Sequence, residues 1–266
     1  MTLDVACGKL RAMIARPHDS DAPSLGLVLV NALMFWLRHQ GVFWLMALPI
    51  AGLAAAITYV LEANQALVDW RHHWGWDFLF ALIYAMFLDR WIKEALLEDA
   101  SPCDEADALR GSTIAPRFLV FAAILGLMAT ALALLPHAEL SAVLWTAAAS
   151  LFALMLPALA AGEPSSLRQA FTLGRPLQAH LFLLIGGAVA LWFLADPGPA
   201  WVARHLPDRP WNGAVVAAAH RLIDALLLTF VGYGLAALFR EVSGWRQPEP
   251  DGRPPPVLKR PVPKDL

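Results

Sequence analysis

Residues 41–61 form a run of 21 without a single charged side chain. As a helix rising 1.5 Å per residue, the run reaches about 31 Å, enough to cross a hydrocarbon core of roughly 30 Å. Pro49 lies inside it and predicts a kink, which is tolerable where neighbouring helices satisfy the freed carbonyl. Few folds accommodate such a run, and it is not alone. The chain is 58% hydrophobic and 16% charged, against about 45–50% and about 25% for a soluble domain. The excess sits in long blocks instead of being spread at helical or strand period.

Five further blocks follow. Residues 74–88 carry Asp77 and are short, so a second span must continue through Trp91 and Ile92, with Asp89, Arg90 and Lys93 at the interface. Residues 118–135 and 140–161 are joined only by Pro136, His137, Ala138 and Glu139, which predicts a tight helical hairpin. The fifth block, 177–195, begins with Gln178 and His180, and a loop rich in proline follows it, with Trp201 and Trp211 suited to an interfacial belt. The sixth, 214–239, is interrupted near its start by His220, Arg221 and Asp224. The expected fold is therefore all-α, a polytopic membrane bundle of about six transmembrane helices.

Basic residues orient it. Of the 20 Lys and Arg, only Arg71, Arg204, Arg209 and Arg221 fall on one side of the alternating spans, leaving 16 on the other. The positive-inside rule places that majority, and both termini, in the cytoplasm. The first twenty residues carry Asp4, Lys9, Arg11 and Arg16 and lack an apolar core, so no cleavable signal is expected. Cys7 and Cys103 fall in segments assigned to the cytoplasm, where thiols stay reduced. The chain then divides into a cytoplasmic segment (1–23), a six-span membrane domain (24–243) and a tail (244–266). The tail holds seven prolines from Pro248 to Pro263 and is expected to be disordered.

Two segments read as interfacial cytoplasmic helices. Residues 25–37 are apolar but reach only about 20 Å, and Arg38, His39 and Gln40 separate them from the first span. Residues 165–175 begin with Ser165 or Ser166 after Pro164, a helix start, and place Leu167, Ala170, Phe171 and Gly174 at helical spacing. Each leads into a span after a basic residue, which hints at a duplicated unit. Residues 88–98 alternate Asp89, Arg90, Lys93, Glu94 and Glu98, reading as a helix end that protrudes into the cytoplasm with paired charges.

Chemistry-bearing candidates are few. Arg221 and Asp224 stand three apart on one helix face and can pair, while His220 points elsewhere. An ionisable group inside a span marks function by default; the bland alternative puts this turn at the outer interface, where its cost is small. The outer loop with Asp69, Arg71, His72 and His73 offers metal-ligating types, but adjacent histidines do not converge on a helix. An interfacial aromatic belt of Trp70, Trp74 and Trp76 is the competing reading. Small residues four apart (Gly52 and Ala56, Ala122 and Gly126, Ala149 and Ala153, Gly232 and Ala236) mean close helix packing. No phosphate-binding glycine loop, H-E-x-x-H, C-x-x-C or G-x-S-x-G occurs. No catalytic residue, cofactor or metal is expected, and a net charge of −2 argues against nucleic acid.

The stretches LMLPALAAGEPSSLRQAFTLGR (154–175), AALFREV (236–242) and FLDRWIKEALLEDASP (87–102) resemble those of bacterial inner-membrane proteins related to the membrane domain of some glycerophosphodiester phosphodiesterases. The resemblance covers most of 25–243, and the spacing of the third stretch is altered. The phosphodiesterase barrel has no room in this chain, so the diesterase activity is not carried over. What the resemblance and the residues imply is a non-enzymatic accessory or envelope-homeostasis component in contact with lipid and with a membrane-protein partner. A small transporter or channel subunit is the alternative, and a membrane enzyme using the 69–73 loop is a third reading.

Overall fold

The computed structural model describes residues 24–63, 73–98, 104–133, 137–163, 166–195, 197–205 and 211–245. The expected N-terminal segment, most of the Pro-rich tail, both cysteines and residues 69–72 of the histidine loop lie outside them. Among the described residues all regular structure is helical. Ser24 starts α1 (Leu25–Arg38) by accepting a hydrogen bond from the Leu27 amide. One residue, His39, separates it from α2 (Gln40–Ala63): its ring stacks on Phe35 at 4.0 Å and its Nδ1 lies 2.9 Å from the Phe35 carbonyl. The first span and its short leading helix were both legible; α2 also runs through Pro49 as one helix.

There follow α3 (His73–Leu96), α4 (Asp104–Gly111), α5 (Pro116–Ala133) and α6 (Ala138–Phe152). The segment read as one span over 140–161 is broken at Ala153 and Leu154, and α7 (Met155–Ala160) follows the break. Pro157 is the cause. It has no N–H to give, and its ring collides with the carbonyl four residues back, that of Ala153. Gly162, at φ +77°, then stops α7. The Glu163 amide donates to the Ala158 carbonyl and the Gly162 amide to that of Leu159, a double closure that needs a left-handed residue between.

Ser166 caps α8 (Leu167–Gly174) in a reciprocal box with Gln169. A 3-10 turn, Arg175–Leu177, joins it to α9 (Gln178–Ala195). After α10 (Pro197–His205) the chain closes with α11 (Asn212–Ser243), ended by Gly244 in the left-handed region.

α11 is the central element, packed against α1, α2, α3, α7, α8, α9 and α10. Around it α3 packs on α5 and α7, and α6 packs on α5 and α9. Glycines make the closest crossings. A Cβ on Gly232 would lie 2.9 Å from Leu88 of α3, one on Gly234 2.6 Å from Leu184 of α9, and one on Gly126 2.8 Å from Ala81 of α3. Gly232 with Ala236 and Ala149 with Ala153 are buried as small-residue packing requires, whereas Gly52 has nothing near it. Gly234→Val should therefore push α9 outward; a loss of about 1–3 kcal/mol is expected from overpacking, read as a lower thermal midpoint of the purified protein.

Three helical segments among the described residues are long and apolar enough to cross a membrane: Gln40–Ala63, Leu167–Pro199 and Asn212–Ser243. Apolar helices of this kind are compatible with a membrane-embedded protein. Their outward sides carry large apolar side chains, with Leu45 76% and Leu194 78% exposed. The expected blocks near 74–92, 118–135 and 140–161 are present as helices; Pro157 breaks the last, while α3 runs unbroken through Asp89, Arg90 and Lys93.

Candidate functional site

Asp224 is where three helices meet. Its Oδ2 accepts from the Tyr84 hydroxyl of α3 at 2.8 Å and from Arg221 Nη1, one turn back on α11, at 3.2 Å. Its Oδ1 accepts from the Trp192 indole N–H of α9 at 2.8 Å. The Tyr84 hydroxyl also lies 3.4 Å from the Arg221 carbonyl, and the Arg221 guanidinium sits over the Phe80 ring, 4.1 Å from its centroid. Both carboxylate oxygens are thus engaged, one by an ionised donor, which makes these bonds stronger than neutral ones. The aromatic face below adds a cation–π contact on the other side of the guanidinium.

The expected Arg221–Asp224 pair forms, and His220 is half-buried beside it on the same helix. Tyr84, Trp192 and Phe80 were not foreseen. An aromatic residue inside an apolar run reads as packing, and nothing in one chain tells which aromatic crosses to which carboxylate. Along α11 the pair falls between two other polar contacts. Gly213, near the start of α11, packs on the Glu62 carboxylate of α2, and Tyr233 further along donates to Glu98. Asp224 lies between these polar levels, about 16 Å from the first and about 14 Å from the second at 1.5 Å per residue.

A second polar cluster occupies the end of the bundle marked by Tyr233. Asp89 and Lys93 pair at 2.8 Å one turn apart on α3, each side chain only 3% exposed. Lys93 Nζ also donates to the Ser112 carbonyl at 3.2 Å, while Asp89 Oδ1 is buried without a hydrogen-bond partner. Glu94 bridges Arg90 at 2.7 Å and Arg110 of α4 at 3.3 Å, and Arg90 donates to the Arg110 carbonyl. Glu98 takes Arg38 of α1 at 3.3 Å and the Tyr233 hydroxyl of α11 at 2.9 Å.

Trp91, fully buried, donates its indole N–H to the Thr229 carbonyl at 2.9 Å, passing beside Gly232. The charges expected here are paired as the spacing implied, but the helix end does not protrude. α4 and the following residues fold over one side of it and α11 covers the other, so Asp89, Lys93 and Glu94 are buried.

Elsewhere, Gln178 Nε2 donates to Ser150 Oγ at 2.8 Å, tying α9 to α6, and His180 is half-buried. Among the described residues no group of three or more His, Cys, Asp or Glu could hold a metal; the 69–72 part of the candidate metal loop lies outside them. Both clusters can hold charge between helices, and neither aligns a nucleophile with a base. In comparison with known proteins, no family model, no curated protein and no solved structure matches the chain.

Proposed function

We propose that this chain is an integral protein of the bacterial inner membrane with six spans and both termini in the cytoplasm. In this reading it works without catalysis, as an accessory or envelope-homeostasis component acting through lipid and protein contacts. The observation that carries it is the use made of the interior charges. Asp224 bonds α11 to α3 and α9, Glu94 bonds α3 to α4, and Glu98, in the turn after α3, bonds to α1 and α11. These groups spend their hydrogen bonds on helix–helix contacts, while large apolar side chains face outwards. The six spans are α2, α3, α5, α6 with α7, α9 and α11. The resemblance to membrane domains of phosphodiesterase relatives, carried by residues 154–175 and 236–242, supports the same assignment.

Reporter fusions test the topology. A reporter active only in the periplasm is expected to work after Asn64, His137 and Pro207 and to stay silent after Asp104, Gly162 and Leu266. Activity at Asp104 would overturn the arrangement. Purification in native lipid should bring down a membrane-protein partner. A clean monodisperse protein with no partner but measurable substrate flux would sink the accessory reading.

A second reading, a small transporter or channel subunit, is favoured by one observation. The Arg221–Asp224 pair lies midway along α11 between the two polar levels, and ionisable groups at such depth are costly unless used.

A further inference from the structure

Helix α8 has two unlike sides. Ala170 and Gly174 are buried, the latter leaving room for Leu181 and Leu154, and the Phe171 ring lies 6.4 Å from Phe152 of α6. The remaining surface presents Leu167 and Phe171, 51% and 40% exposed, beside exposed Arg168 and Arg175. At 100° per residue, counted on through Arg175, which caps the helix in helical conformation, the apolar pair and the basic pair form adjacent stripes on one side. Neither arginine makes an ion pair among the described residues, although carboxylates elsewhere in the bundle are taken up by Arg38, Arg90, Arg110 and Arg221.

Length gives the stripes a place. α8 and α9 belong to one helical stretch, Leu167–Pro199. Residues 177–195 alone span about 28 Å, close to a hydrocarbon core, so α8, joined to them by the 3-10 turn, begins at the membrane surface. Resting on the membrane reading above, we infer that α8 is a docking surface for anionic phospholipid. Leu167 and Phe171 enter the acyl boundary, and Arg168 and Arg175 take the phosphodiester charge. A short amphipathic helix with a basic edge binds a bilayer surface by this combination. The reciprocal Ser166–Gln169 cap and the seat of Ala170 and Gly174 fix the helix before lipid arrives, so little ordering is left to do.

The test titrates the full-length protein, delipidated in mild detergent, with phosphatidylglycerol and with phosphatidylcholine, counting bound lipid by native mass spectrometry. Wild type should prefer phosphatidylglycerol. Each arginine at an anionic surface contributes about fivefold, so Arg168→Gln/Arg175→Gln should weaken phosphatidylglycerol binding by about 25-fold and leave phosphatidylcholine unchanged. Arg168→Lys/Arg175→Lys should keep most of the preference, and it stands in if the glutamine variant does not fold. Equal affinity for the two lipids in wild type overturns the inference, and so does displacement of the lipid by millimolar inorganic phosphate, which would mark a free-anion site. Resistance to carbonate extraction separates the two levels. If the chain is extracted, the membrane reading fails with this one; if it stays in the membrane and shows no lipid preference, only the docking surface is lost.

Discussion

Lys93→Ala is expected to destabilise the protein by about 3–5 kcal/mol, because it strands a buried carboxylate without its counter-charge. Asp89 and Lys93 are each 3% exposed at the side chain, and Asp89 Oδ1 already lacks a donor. Removing the ammonium leaves the other oxygen unmatched as well, and frees the Ser112 carbonyl that Lys93 now engages. The substitution should therefore loosen the residues between α4 and α5 along with α3. Thermal melting of the detergent-solubilised protein would show the loss, and hydrogen exchange should rise first at residues 112–115. The paired replacement Asp89→Leu/Lys93→Met should recover most of the stability, since it removes both charges and keeps the volume. A single variant as stable as wild type would mean that water reaches the pair, contrary to its burial.

That cluster also shows where sequence reading stops. Charges at three- and four-residue spacings on 88–98 announce pairing along a helix, and Lys93–Asp89 and Arg90–Glu94 are such pairs. Burial is a property of what folds over them, and Ser112, Arg110, Arg38 and Tyr233 come from other parts of the chain. The apolar blocks were legible because they depend on local composition: α2 and α9 follow charge-free runs, and α11 covers the sixth block despite its charged turn. So was a helix start at Ser165 or Ser166; Ser166 takes it, in a box with Gln169 three residues on. The break at Ala153 and Leu154 was equally local, since Pro157 was in view, yet the uncharged run concealed it. Gly232 looked like routine small-residue packing. Only with Trp91 placed across it does it become the gap through which an indole reaches the Thr229 carbonyl.

Asp224→Ala is expected to cost about 3 kcal/mol, by leaving the Arg221 guanidinium without its carboxylate and the Tyr84 and Trp192 donors without their acceptor. The loss should be smaller than a full tally of three bonds, because the pair is only partly buried, at 26% and 17% exposure. Asp224→Asn is the more informative variant. Its side chain retains one acceptor oxygen and nearly the same shape but cannot carry charge, so a loss of about 1 kcal/mol is expected. Trp192 and Tyr84 cannot both keep their present bonds to it, since one oxygen has become an amide donor.

The two functional readings separate at this variant. A helix clasp needs the shape and the hydrogen bonds, so Asp224→Asn should hold the bundle together and keep its partner in co-purification. A transport site needs the ionisable group, so the same variant should abolish flux in proteoliposomes while the thermal midpoint stays near that of wild type. Under the accessory reading, wild-type proteoliposomes already show no flux above empty ones. Flux that is present in wild type and lost in Asp224→Asn, with the fold intact, would reverse the order of the two readings.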